Sequence, residues 1–193
     1  MRFSDAQVIA LGEGRPILID DALPVAEITA ARALADQLRY RSAGVGRDRV
    51  LDSRVRGDSI AWLEDTDDAP GWAPVRQLLA DVRAAANEAA WLGLVDEEIQ
   101  VARYADGAQY ARHVDAIRGD PARALTAILY LNPGWQPEDG GELEVWVDET
   151  SQRIAPIGGR LVVFLSARLA HAVRPALRPR YAVTAWYRTR PRI

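Results

Sequence analysis

Two histidines and one aspartate are the residues of this chain best suited to hold a metal ion. The chain contains only two histidines, and His113 lies two residues before Asp115 in the stretch QYARHVDAIRG, far from His171. Alternate residues of a β-strand face the same side, so a strand here would point His113 and Asp115 together. Two imidazoles and one carboxylate are typical of Fe(II) sites with open coordination positions. An isolated H-x-D pair is also common without metal, so the prediction needs a second motif.

The stretch RYAVTAWYR provides that second motif, a candidate carboxylate receptor. Strand alternation predicts that one of its faces carries Arg180, Ala182, Thr184, Trp186 and Arg188. Arginine binds a carboxylate through two parallel N–H donors. Arg180 follows His171 at a distance that one strand, a turn and the next strand would span, and Tyr130 in ILYLN could supply a second donor. The alternative is an arginine at a strand end that forms only a surface salt bridge.

The chain that must position these residues has the pattern of helices followed by strands. Apolar residues at helical spacing predict one helix in AEITAARALADQLRY and a second in PVRQLLADVRAAANEAAWLGL, with its proline in the first turn. From about residue 98, short β-branched and aromatic runs alternate with turn residues, as in antiparallel sandwiches and barrels. The predicted fold class is α+β, with a jelly-roll core over about 98–188 and helical support over about 24–95. No repeat divides the chain, so we expect a single domain over residues 1–193.

Composition argues against several other classes of function. The chain has no cysteine, which excludes disulfides, thiolate metal sites and a cysteine nucleophile. Its net charge is −3 and it has no basic patch, so we expect no nucleic-acid partner. No apolar run approaches the length of a membrane span, and the N-terminal residues lack the pattern of a signal peptide. We therefore expect no membrane association and a cytoplasmic location.

Taken together, the motifs resemble those of the iron(II)- and 2-oxoglutarate-dependent dioxygenases. The order H-x-D, a distant histidine and RYAVTAWY is similar to the prolyl 4-hydroxylase branch, especially to the prolyl hydroxylases of the hypoxia-inducible factor and their bacterial relatives. The segments VARYADGAQYARHVD, ILYLNPGW, GGELEVW and VRGDSIAWLE carry the same resemblance. It implies a double-stranded β-helix that uses Fe(II), 2-oxoglutarate and O2, with ascorbate as a further candidate, to hydroxylate a proline in a protein or peptide substrate.

The resemblance also implies roles for individual residues. The iron ligands would be His113, Asp115 and His171. The residues that would bind 2-oxoglutarate are Arg180 and Tyr130, at its distal carboxylate, and Tyr104, Thr184, Ile128, Leu143 and Val173. The residues that would shape the substrate site are Asp58, Trp62, Arg123 and Trp186. We expect an Asp58–Arg123 salt bridge to order the groove, and the loop over residues 42–58 to be a mobile flap.

The chain departs from the family in three places that bear on the substrate, one of which is the loop around GVGRDRVLD, where no clear residue-by-residue match exists. The segment SARLAH is shorter and less polar than the family's, and alanine follows His171 where the hypoxia-factor enzymes have an acidic residue. By family analogy, elongation factor Tu is a candidate substrate. Two alternatives stay open. One is a hydroxylase of a free amino acid or small peptide metabolite, which would have a closed pocket; the other is an inactive oxygenase fold that serves as a sensing or binding module.

Overall fold

The helices of this protein precede most of its strands. The computed structural model describes residues 1–44, 52, 54–63, 69–116, 122–148 and 150–190. Its α-helices are α1 (Asp5–Gly12), α2 (Val25–Ala35) and α3 (Ala73–Ala90). Among the described residues, no helix has both the length and the apolar character needed to cross a membrane.

The observed helices agree in part with the sequence prediction. Helices α2 and α3 confirm the two predicted helices, although α2 ends at Ala35 instead of continuing to Tyr40. Helix α1 was not predicted. It begins at a capping box in which the Gln7 backbone N–H donates to Ser4 Oγ, and the Ser4 N–H donates to Gln7 Oε1.

The strands of the described structure form two antiparallel sheets. Their strands are β1 (Ile17–Ile19), β2 (Arg41–Ser42), β3 (Ser59–Trp62), β4 (Asp96–Tyr104), β5 (Tyr110–His113), β6 (Arg123–Tyr130), β7 (Leu143–Val147), β8 (Thr150–Ile154), β9 (Leu161–Leu165), β10 (Ala170–Val173) and β11 (Arg180–Arg188). The larger sheet has the order β1-β9-β6-β11-β4-β3-β2, and the smaller sheet has the order β5-β10-β7-β8. The predicted jelly-roll architecture with supporting N-terminal helices is confirmed, while β2, β3 and β8 are strands that the sequence prediction omitted.

The larger sheet separates two hydrophobic cores. On one face, Leu129 and Val183 pack in a cluster with Leu79 of α3. On the other face, Ile128 packs in a cluster that includes Leu143 of the smaller sheet. Neighbouring residues of one strand therefore serve different cores, and the alternate residues on the inner face are available to line a site between the sheets.

Candidate active site

Two side chains on the smaller sheet and one in the bend after its edge strand form a candidate metal site. His113 ends β5 and pairs directly with His171 of β10, while Asp115 lies in the bend that follows β5. Asp115 Oδ1 lies 3.6 Å from Nε2 of His113 and 3.8 Å from Nε2 of His171. The three ligand atoms all lie within 4.8 Å of one another, so one ion could contact all three.

The bend after β5 brings Asp115 into this site. The expectation that His113 and Asp115 alternate along one strand was wrong, because the strand ends at His113. The bend is fixed by the backbone N–H groups of Asp115 and Ala116, which donate to the carbonyl of Ser166 at 3.1 and 3.2 Å. The two side chains still point together, as predicted, but the cause is a turn tied to β9.

Both imidazoles present the same nitrogen to the site. Nδ1 of His113 lies 2.8 Å from the carbonyl oxygen of Ala111, and Nδ1 of His171 lies 3.1 Å from that of Leu169. A carbonyl oxygen only accepts, so Nδ1 carries the proton in each ring. This leaves the lone pair of each Nε2 for a metal ion, and hydrogen bonds of this kind also orient the ligating ring.

The two oxygens of the Asp115 carboxylate have different surroundings. The Thr126 hydroxyl donates to its Oδ2 at 2.9 Å and lies 2.9 Å from the Ser166 hydroxyl. Both hydroxyl residues are fully buried. Because Oδ2 is engaged by Thr126, Oδ1 is the oxygen that remains for a metal ion.

Burial and charge set the protonation states of these ligands. Burial lowers the pKa of His171, because the charged imidazolium would lose its hydration, and this outweighs the attraction of Asp115. Burial alone would raise the pKa of Asp115, but His171 and His113 hold the pKa of that carboxyl below its usual range. The site therefore offers a neutral imidazole and a carboxylate at neutral pH, which are the forms that bind a cation.

A cavity of about 810 Å³ lies between the sheets beside the triad. The predicted site residues that line it with the triad are Arg180, Tyr104, Thr184, Ile128, Leu143, Val173, Trp62, Arg123 and Trp186. Every second side chain of β11 from Arg180 to Trp186 faces the cavity, as the sequence pattern predicts. Exposed residues Arg41 and Val114 also line the cavity, so it opens to the surface.

Arg180 and Tyr130 form the polar end of this space. Arg180 is only 1% exposed, its Nε donates to the Gly141 carbonyl at 2.8 Å, and no ion pair within the described residues involves it. The guanidinium lies 5.0 Å from the ring centroids of Tyr104 and Tyr130. Tyr130 is fully buried behind the lining, and within the described ranges its hydroxyl has no hydrogen-bond partner. Buried polar groups normally have partners, so this pair of donors fits the carboxylate of a ligand such as 2-oxoglutarate.

Comparison with known proteins agrees with this geometry. The family model described as "2OG-Fe(II) oxygenase superfamily" matches residues 99–188. A Pseudomonas putida prolyl-4-hydroxylase structure is 35% identical, covers 96% of this chain and 98% of its own, and superposes with a TM-score of 0.85. The chain belongs to the 2OG-Fe(II) oxygenase superfamily.

Other proteins similar to the chain include two that are named as prolyl hydroxylases. Human "Prolyl hydroxylase EGLN3" is 34% identical over 174 residues, which are 84% of this chain and 70% of the human protein. A Trichoplax adhaerens prolyl hydroxylase, solved with a hypoxia-inducible factor peptide fragment, is 29% identical, with 94% and 87% coverage and a TM-score of 0.83. Rat "Egl nine homolog 1" is 32% identical over 167 residues, or 81% of this chain. The chain spans about half or less of the length of the Egl nine homolog 1 proteins, between 38% and 48%.

The ion pairs around the groove differ from the prediction. Asp58 lies behind the cavity lining and accepts hydrogen bonds from Arg56 at 2.7 and 3.0 Å. Arg123 pairs with Glu98 instead, and its guanidinium lies 4.3 Å from the ring centroid of Trp186. The predicted Asp58–Arg123 salt bridge is therefore wrong, because each residue has another partner of opposite charge.

The remaining predicted part of the site is the 42–58 loop. Residues 45–51 and 53 of this loop lie outside the described residues. Its first residue belongs to β2, which pairs with β3. The idea that this loop is a mobile flap stays a prediction.

The residues at or behind the site that the prediction missed include two buried hydroxyl residues and two residues of the cavity lining. Thr126 and Ser166 are hydroxyl residues within or beside the apolar runs ALTAILYLN and RLVVFLS, which is a readable signal of a buried polar role. Arg56 and Tyr110 line the cavity. Regular strand alternation would have placed Tyr110 on the face opposite to His113, so the sequence pattern concealed it.

Proposed function

We propose that this protein is an Fe(II)- and 2-oxoglutarate-dependent prolyl 4-hydroxylase that acts on a proline in a loop of another protein. The observation that carries the proposal is that the His-Asp-His triad and the buried Arg180 guanidinium border one cavity that opens to the surface. Elongation factor Tu is a candidate substrate by family analogy. The proposal includes a cytoplasmic location, which such a substrate requires.

The triad would hold the iron through Nε2 of His113, Oδ1 of Asp115 and Nε2 of His171. Three protein ligands leave open positions for 2-oxoglutarate and O2. When bound, iron and 2-oxoglutarate activate O2 for the oxidation of a C–H bond. The protein needs no acid–base triad of its own for this reaction, so its contribution is binding, orientation and exclusion of water.

Arg180 would orient 2-oxoglutarate by binding the carboxylate that is distal to the iron, with the Tyr130 hydroxyl as a second donor. A charge-assisted pair between a guanidinium and a carboxylate is one of the stronger hydrogen-bonded contacts in proteins. The apolar side chains of Ile128, Leu143 and Val173 line the same cavity. They would pack against the methylene groups of 2-oxoglutarate and exclude water.

The substrate side of the cavity has an aromatic wall. The rings of Trp62 and Trp186 lie 6.0 Å apart at 51°, and Arg123 stacks on Trp186 while it pairs with Glu98. Aromatic faces suit the apolar ring of a proline side chain. The opening beside Val114 favours an extended peptide over a free amino acid, which a closed pocket would bind better.

The experiment that tests the proposal is mass spectrometry of a bacterial lysate treated with purified protein, Fe(II), 2-oxoglutarate, ascorbate and air. The expected result is a gain of one oxygen on a proline of one protein. The same gain should be absent with Arg180→Ala and retained with Arg178→Ala, whose arginine pairs with Asp139 away from the cavity.

Two results would contradict the proposal in different ways. Succinate production only after the addition of small metabolites would indicate a small-molecule hydroxylase. No consumption of 2-oxoglutarate with any lysate or metabolite mixture would indicate an oxygenase fold that binds or senses its ligands without turnover.

A further inference from the structure

Tyr110 stacks face to face on the imidazole of His113. The ring centroids lie 3.6 Å apart and the planes differ by 17°. Residues three apart in a regular strand face opposite sides. Here His113 pairs with His171 and Tyr110 with Val173, so two residues of β5 lie opposite one residue of β10. This bulge turns the two rings to the same side.

The stack supports the less buried of the two imidazoles. The His113 side chain is 19% exposed, whereas that of His171 is 4% exposed and packs against the ring of Phe164 at 5.0 Å. Strand β5 is short and lies at the edge of the smaller sheet. His113 therefore has less packing from the core to hold its ring, and the face of Tyr110 supplies that packing.

Tyr110 is itself held by a buried ion pair. The Arg56 guanidinium lies 4.7 Å from the Tyr110 ring centroid, within the range of a cation–π contact. Arg56 binds both carboxylate oxygens of Asp58, and the two side chains are 15% and 0% exposed. The backbone N–H of Gly57 donates to the carbonyl of Gln109 at 2.8 Å, which ties this segment to the start of β5.

We propose that Tyr110, fixed by the Arg56–Asp58 ion pair, is a positioning residue that holds the His113 imidazole in the orientation that binds iron. This inference rests on the proposed function, because it takes His113 as an iron ligand. The flat face of Tyr110 opposes rotation of the imidazole out of its plane, while the Nδ1 bond to Ala111 fixes its nitrogen assignment. The aromatic ring is the necessary part, and the phenolic hydroxyl is dispensable.

Titration with Co(II), without 2-oxoglutarate or substrate, tests this role independently of activity. The visible absorption of bound Co(II) reports both affinity and ligand geometry. The Tyr110→Leu and Tyr110→Met variants should bind Co(II) about tenfold or more weakly, the scale seen when support of a metal ligand is lost, and should show an altered spectrum. Tyr110→Phe should restore the wild-type affinity and spectrum.

Trp146→Leu is the matched control, because Trp146 lies on β7 of the same sheet and does not line the cavity. It should bind Co(II) like the wild type. Thermal unfolding establishes that each variant is folded before titration. If Tyr110→Leu does not fold, Tyr110→Met can be used instead. Methionine adapts to irregular space but cannot stack on the imidazole of His113.

Each outcome separates this inference from the proposed function. Wild-type affinity and spectrum in Tyr110→Leu or Tyr110→Met would overturn the positioning role. A loss in Tyr110→Phe as large as in Tyr110→Leu would also overturn it, because the hydroxyl would then be the active group. If the wild type binds no more Co(II) than His113→Ala does, the iron assignment behind the proposed function fails first.

Discussion

The Tyr130 hydroxyl is a residue-scale test of the proposed 2-oxoglutarate site, because it is buried and has no hydrogen-bond partner in the part of the chain that the structure describes. Such a group costs about 1–3 kcal/mol. Tyr130→Phe removes that cost, so the free energy of unfolding without ligands should stay constant or rise. The affinity for 2-oxoglutarate should fall about tenfold, the scale of one hydrogen bond to a charged group. Calorimetric titration of the Ni(II)-loaded protein measures this change.

Tyr187→Phe is the matched control for this prediction. The Tyr187 hydroxyl donates to the Leu79 carbonyl at 2.8 Å in the core on the helical side. Its loss should lower the free energy of unfolding and leave the affinity for 2-oxoglutarate unchanged. If wild type and Tyr130→Phe bind 2-oxoglutarate with equal affinity, the Tyr130 hydroxyl does not contact this ligand.

Thr126 allows a second residue-scale prediction, for the metal. Valine has nearly the same shape but no hydroxyl, so Thr126→Val leaves Asp115 Oδ2 without its donor. We expect Co(II) affinity to fall by about 10- to 100-fold, as is usual when a ligand loses its outer hydrogen bond. Ser166→Ala breaks the Thr126–Ser166 contact but keeps the Thr126–Asp115 bond, so its loss should be smaller. An equal loss in both variants would show that the direct bond to Asp115 is not the cause.

At the scale of elements, the turn before β7 holds Arg180 from the opposite sheet. The Gly141 carbonyl accepts from Arg180 Nε, and Gly141 has φ 69°. A Cβ there would lie 2.8 Å from Ala176 Cβ and 3.2 Å from Arg180 Cδ. Gly141→Ala should therefore lower the free energy of unfolding by more than the roughly 1–2 kcal/mol of a left-handed backbone alone, and should weaken 2-oxoglutarate binding.

Gly134→Ala separates backbone strain from displacement of Arg180. Gly134 has φ 63°, but a Cβ there would meet nothing within 4 Å. Urea unfolding should show a smaller loss of stability, and titration should show unchanged 2-oxoglutarate affinity. If the two alanine variants bind 2-oxoglutarate equally, the turn does not position Arg180.

The regularity of each element decided how well the sequence predicted it. Strand β11 pairs along most of its length with β4 and β6, so simple alternation placed its cavity-facing residues correctly. Strand β5 is short, lies at a sheet edge and has a bulge, so the same rule misplaced Tyr110 and gave the wrong reason for Asp115. Helix α1 was predictable from the capping-box pattern of Ser4 and Gln7, because that signal is local.

The partners of charged residues were less predictable than the elements that carry them. The predicted ion pair between Asp58 and Arg123 rested only on the family resemblance. In the structure, Asp58 forms its ion pair with Arg56, two residues away. Glu98 forms ion pairs with both Arg123 and Arg188, which belong to the neighbouring strands β6 and β11. Which charged residues pair depends on how side chains of neighbouring strands point toward one another. The sequence of a single strand does not specify this.

At the scale of the whole molecule, we expect stability and ligand binding to depend on opposite faces of the larger sheet. The face toward the helices packs in the core that contains Leu79 of α3, and the other face forms a wall of the 810 Å³ cavity. Ile128 and Leu129 are neighbours in β6, but Ile128 lies on the cavity face and Leu129 on the helical face. Because they share one strand, substitutions at the two positions can be compared directly.

Alanine at these two positions should therefore have opposite consequences. Leu129 is fully buried among the helices, so Leu129→Ala should cost about 2–5 kcal/mol of unfolding free energy, the range for a new cavity in a packed core, with 2-oxoglutarate affinity unchanged. Ile128 already borders open space, so Ile128→Ala should cost less stability. It should weaken 2-oxoglutarate binding, because an apolar contact and a barrier to water are lost. Urea unfolding and titration of the Ni(II)-loaded protein measure both quantities, and an equal loss of affinity in the two variants would show that the two faces are not independent.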